Sequence, residues 1–150
     1  MYSTSRTLGT REPNGKKPGP LDPAKLSWVE GTVTRGSARG KEIGFPTANL
    51  SFKDDYVRPR EGIYACWVRL DLLGDIMPAV MHVGPRPTFD DMEITVEIHI
   101  LDFNKDLYDQ TIEFATVQSI RGVKKFDTIE ELQRAIQRDC DEARKILSNP

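Results

Sequence analysis

From Trp28 onward, apolar and polar positions alternate with a period close to two, the signature of strands with one covered face. Val29 and Val33 begin a strand that runs into a glycine-rich loop, and Ala48, Leu50 and Phe52 mark a short strand after Pro46. Residues 62–70 (GIYACWVRL) are apolar on both faces and predict a buried strand. Residues 76–83 follow after the turn-like Leu73-Gly74-Asp75. The cleanest alternation lies at 93–101, with Ile94, Val96, Ile98 and Ile100 on one face and Glu93, Thr95, Glu97 and His99 on the other; residues 111–119 give a sixth strand. No helical period interrupts this series, so the pattern predicts a mainly β antiparallel barrel or sandwich. Only the C-terminus changes period: Ile129, Leu132, Ile136, Cys140, Ala143 and Leu147 recur every three or four residues. They predict one amphipathic helix packed on the sheet, capped by Asp127 or Thr128 with Glu130 or Glu131 three residues on.

Residues 1–27 lack any such pattern. They hold four prolines, three glycines and few apolar side chains, so they cannot bury enough surface to offset the entropy of ordering. A disordered tail or linker over 1–27 and a single folded domain over 28–150 are therefore expected. The tail carries a net charge of +3, which leaves the folded part at −5.

A chain with a total net charge of −2 and an acidic folded part has no basic field with which to hold nucleic acid. Cys66 and Cys140 have neither C-x-x-C nor Cys/His spacing and read as reduced core residues. With no apolar run near the ~20 residues needed to span a bilayer and no hydrophobic N-terminal signal, a soluble cytoplasmic protein without membrane partners is expected.

The candidate chemistry begins at residues 36–49, GSARGKEIGFPTAN. Gly36, Gly40 and Gly44 let the backbone approach an anion closely, while Thr47 and Asn49 carry neutral oxygens suited to a hard cation. The spacing excludes the common nucleotide loop, which needs four residues between its glycines and a hydroxyl after the lysine; here Lys41 is followed by Glu42. A G-x-G-x-x-G run is also lacking. As residue types, Thr47 and Asn49 would serve equally well as turn residues after Pro46 that bond their own backbone.

The order of five segments is more specific than any one motif. The loop running into GFPTANL, then EGIY, HVGPRPTF, VEIHILDFNKDLY and IRGVKKFDTIEEL together resemble riboflavin kinase over about residues 28–147. The resemblance is to the kinase module that many bacteria fuse behind an FMN adenylyltransferase domain. It implies a six-stranded antiparallel Greek-key barrel with a C-terminal helix packed on it. The implied reaction is transfer of the ATP γ-phosphoryl group to the ribityl 5'-hydroxyl of riboflavin, giving FMN and ADP, with magnesium or another divalent cation.

The resemblance also implies roles. The backbone from Gly36 to Gly44 would wrap the ATP phosphates, with Lys41 and Arg39 as nearby positive charges and Tyr108 as a further nucleotide contact. Thr47, also on the nucleotide, and Asn49 would hold magnesium. Glu97, in the E-x-H of the 93–101 strand, would be the general base that orients the alcohol and accepts its proton. Arg121, Lys124 and Phe126 would line the flavin site. His99 reads as a hydrogen-bonding neighbour outside the catalytic set, and Asp102 as a nucleotide-loop or turn residue. His82, Lys41 and Val123 stand where bacterial relatives usually carry Asn, commonly Arg, and Glu, so flavin affinity and loop closure are the properties expected to differ. The expected partners are riboflavin, FMN, ATP and ADP, bound by a monomer. An inactive flavin-binding or regulatory module is the competing reading, and it would predict loss of Thr47, Asn49 or Glu97; all three are present.

Overall fold

Six strands close on one another in a computed structural model that describes residues 25–34, 44–53, 56, 58–70, 74–87, 92–103 and 105–148. They are β1 (Val29–Thr34), β2 (Ala48–Ser51), β3 (Gly62–Arg69), β4 (Ile76–Pro87), β5 (Met92–Ile100) and β6 (Thr111–Arg121), followed by one helix, α1 (Ile129–Ser148). The strand order is β1-β2-β5-β4-β3-β6, closed by β6 on β1, with every pairing antiparallel. β3, β4 and β5 form a meander and β2 lies beside β5, which is the Greek-key arrangement expected from the resemblance. Most of residues 1–27, together with Gly36, Arg39, Gly40 and Lys41, lie outside the described residues.

Strand alternation sorts the side chains into two apolar layers. Val33, Leu50, Cys66, Val68, Met81, Val83, Val96, Ile98, Ile112 and Phe114 fill the barrel. On the outer surface Ile63, Ala65, Val80 and Leu101 meet Cys140 and Ala143 of α1, with Ile136, Ile146 and Leu147 around them. This second layer explains why 62–70 is apolar on both faces: one face lines the barrel and the other is covered by the helix. Both cysteines are free and buried. Burial pushes both thiols up, that of Cys140 to about 11, so neither is a nucleophile.

β4 runs four residues beyond the 76–83 strand that alternation predicts, through Gly84, Pro85, Arg86 and Pro87. β3 stops pairing with it at Val83, and from Gly84 onward β5 is its partner. An extension paired on one side tolerates proline, because the missing N–H need face no neighbour. At the helix start, Thr128 rather than Asp127 is the cap: its Oγ1 accepts from the Glu131 N–H at 3.1 Å, while Glu131 Oε1 accepts from the Asp127 N–H at 3.1 Å. Two helical positions differ from the sequence pattern. Ile129 is 57% exposed, because the buried positions of α1 begin only at Ala135, and Asp139 is buried at 4% exposure beside Cys140.

Candidate active site

One row of register partners crosses all six strands and carries the polar chemistry. Asn49 on β2 pairs with Glu97 on β5, Glu97 with His82 on β4, His82 with Ile63 on β3, and Ile63 with Arg121 on β6; Thr34 of β1 pairs with Asn49 on the other side. Directly paired residues project to the same face of a sheet. Leu50, Val83 and Val96 point into the barrel, so the row stands on the outer surface beside the helix.

Asn49, Thr47 and Glu97 form its first cluster. The Thr47 hydroxyl donates to Glu97 Oε1 at 2.9 Å, and the Thr95 hydroxyl makes a longer contact of 3.4 Å to Glu97 Oε2. Thr47 thus spends its proton on the carboxylate and keeps oxygen lone pairs available. Asn49 is 7% exposed, and its Oδ1 is buried without a hydrogen-bond partner. A buried acceptor left unpaired costs free energy unless a donor or cation meets it. The donor set consists of two neutral oxygens next to one carboxylate, which fits a hard cation that takes the rest of its shell from water and phosphate. No group of three His, Cys, Asp or Glu gathers as a metal site among the described residues.

The chain reaches this cluster through a pinned turn. Gly44 has φ +93°, a left-handed conformation that favours glycine. Phe45 packs edge-on to the His99 ring at 5.6 Å. His99 Nδ1 lies 2.7 Å from the Pro46 carbonyl oxygen. That oxygen can only accept, so Nδ1 carries the proton and the His99 ring holds the turn. A cavity of about 350 Å³ opens at the Asn49 end of the row, lined by Thr34, Asn49, Tyr56, Arg58, Glu93 and Thr95 among others. Tyr108 sits in a separate turn, which backbone hydrogen bonds between Val33 and residues 109 and 110 attach to β1 just before the glycine loop.

Arg121, Lys124 and Phe126 form the second cluster. The Arg121 guanidinium carbon and Lys124 Nζ each lie 5.7 Å from the Phe126 ring centroid. Arg121 also donates to Asp139 of α1 through Nε at 2.8 Å and Nη2 at 2.7 Å. Asp139 is not among the residues that sequence pattern singles out. Its signal was a carboxylate at a helical spacing from Ile136 and Ala143, on the stripe that should have been apolar.

His82 stands between the two clusters. A Cβ added at Gly84 would come within 3.0 Å of the His82 ring and 3.1 Å of Val123, so the absence of a side chain there lets Val123 lie close against β4. Burial pushes the His82 pKa below its ordinary 6.5, with Glu97 opposing and Arg121 reinforcing the shift. Because the folded value is the lower one, the contribution of His82 to stability is complete above the ordinary pKa and is lost as pH falls through the folded value. The denaturation midpoint of His82→Asn should therefore fall less than that of the unsubstituted protein between about pH 7 and pH 5. Urea titrations across that range would give parallel curves if His82 were not the group responsible.

The family described as Flavokinase: Riboflavin kinase matches residues 25–147. A bifunctional riboflavin kinase/FMN adenylyltransferase of Bacillus subtilis is 34% identical over 125 residues, covering 81% of this chain and 39% of its own length. The chain therefore spans about two-fifths of that relative. Among solved structures, a Streptococcus pneumoniae protein described as a macrolide-efflux protein superposes with TM-score 0.71 at 34% identity, over 79% of this chain and 38% of its own. Among the described residues here, no helix is long and apolar enough to cross a membrane. Riboflavin kinase from Trypanosoma brucei superposes with TM-score 0.64 over 82% of this chain and 78% of its own, and at 22% identity it speaks for the shared fold. Because that family's model matches residues 25–147 of a barrel with this strand order, the chain belongs to the riboflavin kinase family.

Proposed function

We propose that this chain transfers the γ-phosphoryl group of ATP to the ribityl 5'-hydroxyl of riboflavin, giving FMN and ADP. The observation that carries the reading is the hydrogen bond from Thr47 to Glu97 next to the unpaired Asn49 oxygen, on one face with Arg121. Phosphoryl transfer asks a protein mainly to position its substrates and to stabilise spread negative charge. Magnesium, held through Thr47 and Asn49, would supply charge neutralisation on the phosphates.

The chain's own residues account for the remaining steps. Glu97, held by the Thr47 hydroxyl, orients the ribityl alcohol and takes its proton as the new P–O bond forms. The segment from Arg121 to Phe126 offers an aromatic face and cationic groups to the flat flavin. Gly44 ends the loop whose earlier residues, Gly36, Arg39, Gly40 and Lys41, would wrap the phosphates. Tyr108, on a turn attached to the strand leading into that loop, would contact the nucleotide. In this reading the partners are small molecules, bound by a monomer. The free buried thiols suit a reducing, cytoplasmic compartment.

Incubation of the purified chain with riboflavin, ATP and magnesium should yield FMN on chromatography, and a chelator should abolish the product. Flavin binding without FMN in any of several divalent metals would instead establish an inactive flavin-binding module.

A further inference from the structure

All three nitrogens of the Arg121 guanidinium are engaged. Nε and Nη2 form a two-pronged ion pair with Asp139, and Nη1 donates to the Gly122 carbonyl at 3.0 Å. Asp139 is 4% exposed. Burying a carboxylate on a helix stripe is costly, and an ion pair of this kind often adds little net stability compared with apolar residues of similar size. What it does supply is geometry, because a planar guanidinium gripped at two oxygens has one orientation.

That orientation falls at a junction. Arg121 is the last residue of β6, and residues 122–126 then run without regular structure to the Thr128 cap of α1. The near end of this segment is held by the Arg121 contact to the Gly122 carbonyl, and the Arg121 guanidinium also lies toward Phe126. Gly122 has no side chain and open space where one would be, so no side-chain contact of its own holds it, and the next residue, Val123, lies against Gly84. The hold on the segment's origin therefore runs through Arg121 to a carboxylate on the helix.

We infer that Asp139 is a positioning residue for the flavin site: through Arg121 it sets the path of residues 122–126 across His82 and Gly84. The inference rests on the proposed reading of that segment as the flavin contact. It gives Arg121 an indirect task, holding the segment in place, and assigns a role to a residue outside the substrate site.

The test uses the full chain. Asp139→Asn keeps Arg121 and the shape of the site but removes the charge that grips it. The riboflavin Kd, read from quenching of flavin fluorescence, and the riboflavin KM should both rise by about tenfold or more, because a small misplacement of binding groups is expensive. ATP KM and kcat at saturating riboflavin should stay within about twofold. A purely structural pair would lower the melting temperature and leave the riboflavin Kd unchanged, which would overturn the inference.

Should Asp139→Asn not fold, Asp139→Glu decides, since it keeps Arg121 and the buried ion pair but shifts the grip on the guanidinium by one methylene. A folded Asp139→Glu variant with weakened flavin binding supports the positioning role; wild-type flavin affinity in it removes that role. Failure of the unsubstituted chain to bind riboflavin at all would instead remove the proposed function, and the inference with it.

Discussion

Glu97→Gln is expected to lower kcat by about 10²–10⁴-fold, the range that positioned proton acceptors contribute, with ATP KM nearly unchanged. The amide keeps an oxygen for the Thr47 hydroxyl, which donates to Glu97 Oε1 at 2.9 Å, so the local hydrogen bond and the turn at residues 44–47 survive while the basic function is lost. A fall in kcat and kcat/KM together, at saturating magnesium, would mark an interaction made in the transition state. Should the loss be recovered simply by raising the magnesium concentration, Glu97 would be acting through the metal. Turnover equal to that of the unsubstituted chain would exclude Glu97 as the base.

The largest expected effect on stability lies in the barrel core. Phe114 is 1% exposed at the centre of the barrel, edge-on to Phe52 at 6.1 Å, and Phe52 stacks on Tyr56 at 4.0 Å. Phe114→Ala removes a ring from a closed wall of strands that cannot collapse around the gap, and should cost about 3–5 kcal/mol. For a domain of this size that corresponds to a melting temperature lower by roughly 10–20 °C, measurable by calorimetry. Leu50 and Val96 belong to the same core as Phe114, and they alternate along their strands with Asn49 and Glu97. Loosening the core should therefore also weaken the Asn49–Glu97 alignment. A loss below about 1 kcal/mol would mean that the barrel relaxes into the space.

Much of the fold is legible in the chain because strand burial has a period of two. Ile94, Val96, Ile98 and Ile100 declare a face without reference to any other segment, and Glu97 and His99 are thereby placed on the opposite one. The three-to-four spacing around Ile136, Cys140 and Ala143 does the same for α1. The extent of β4 is not legible, because Gly84 to Pro87 read as a turn unless it is known that β3 has already ended alongside. The burial of Asp139 is likewise hidden: a carboxylate in a helix stripe reads as a solvated exception until Arg121 arrives from another strand.

The candidate site divides along the same line. Residue types and their order placed Thr47, Asn49 and Glu97 in one family's pattern, and that pattern implied their chemistry. Only the closed barrel brought them together, because register across β2, β5, β4, β3 and β6 aligns residues far apart in the chain. The sequence by itself determined which side chains face outward, since that depends on local alternation. The tertiary structure decided which of them meet, which oxygen of Asn49 is left unpaired and what holds Arg121, since each of those depends on partners that local sequence cannot specify.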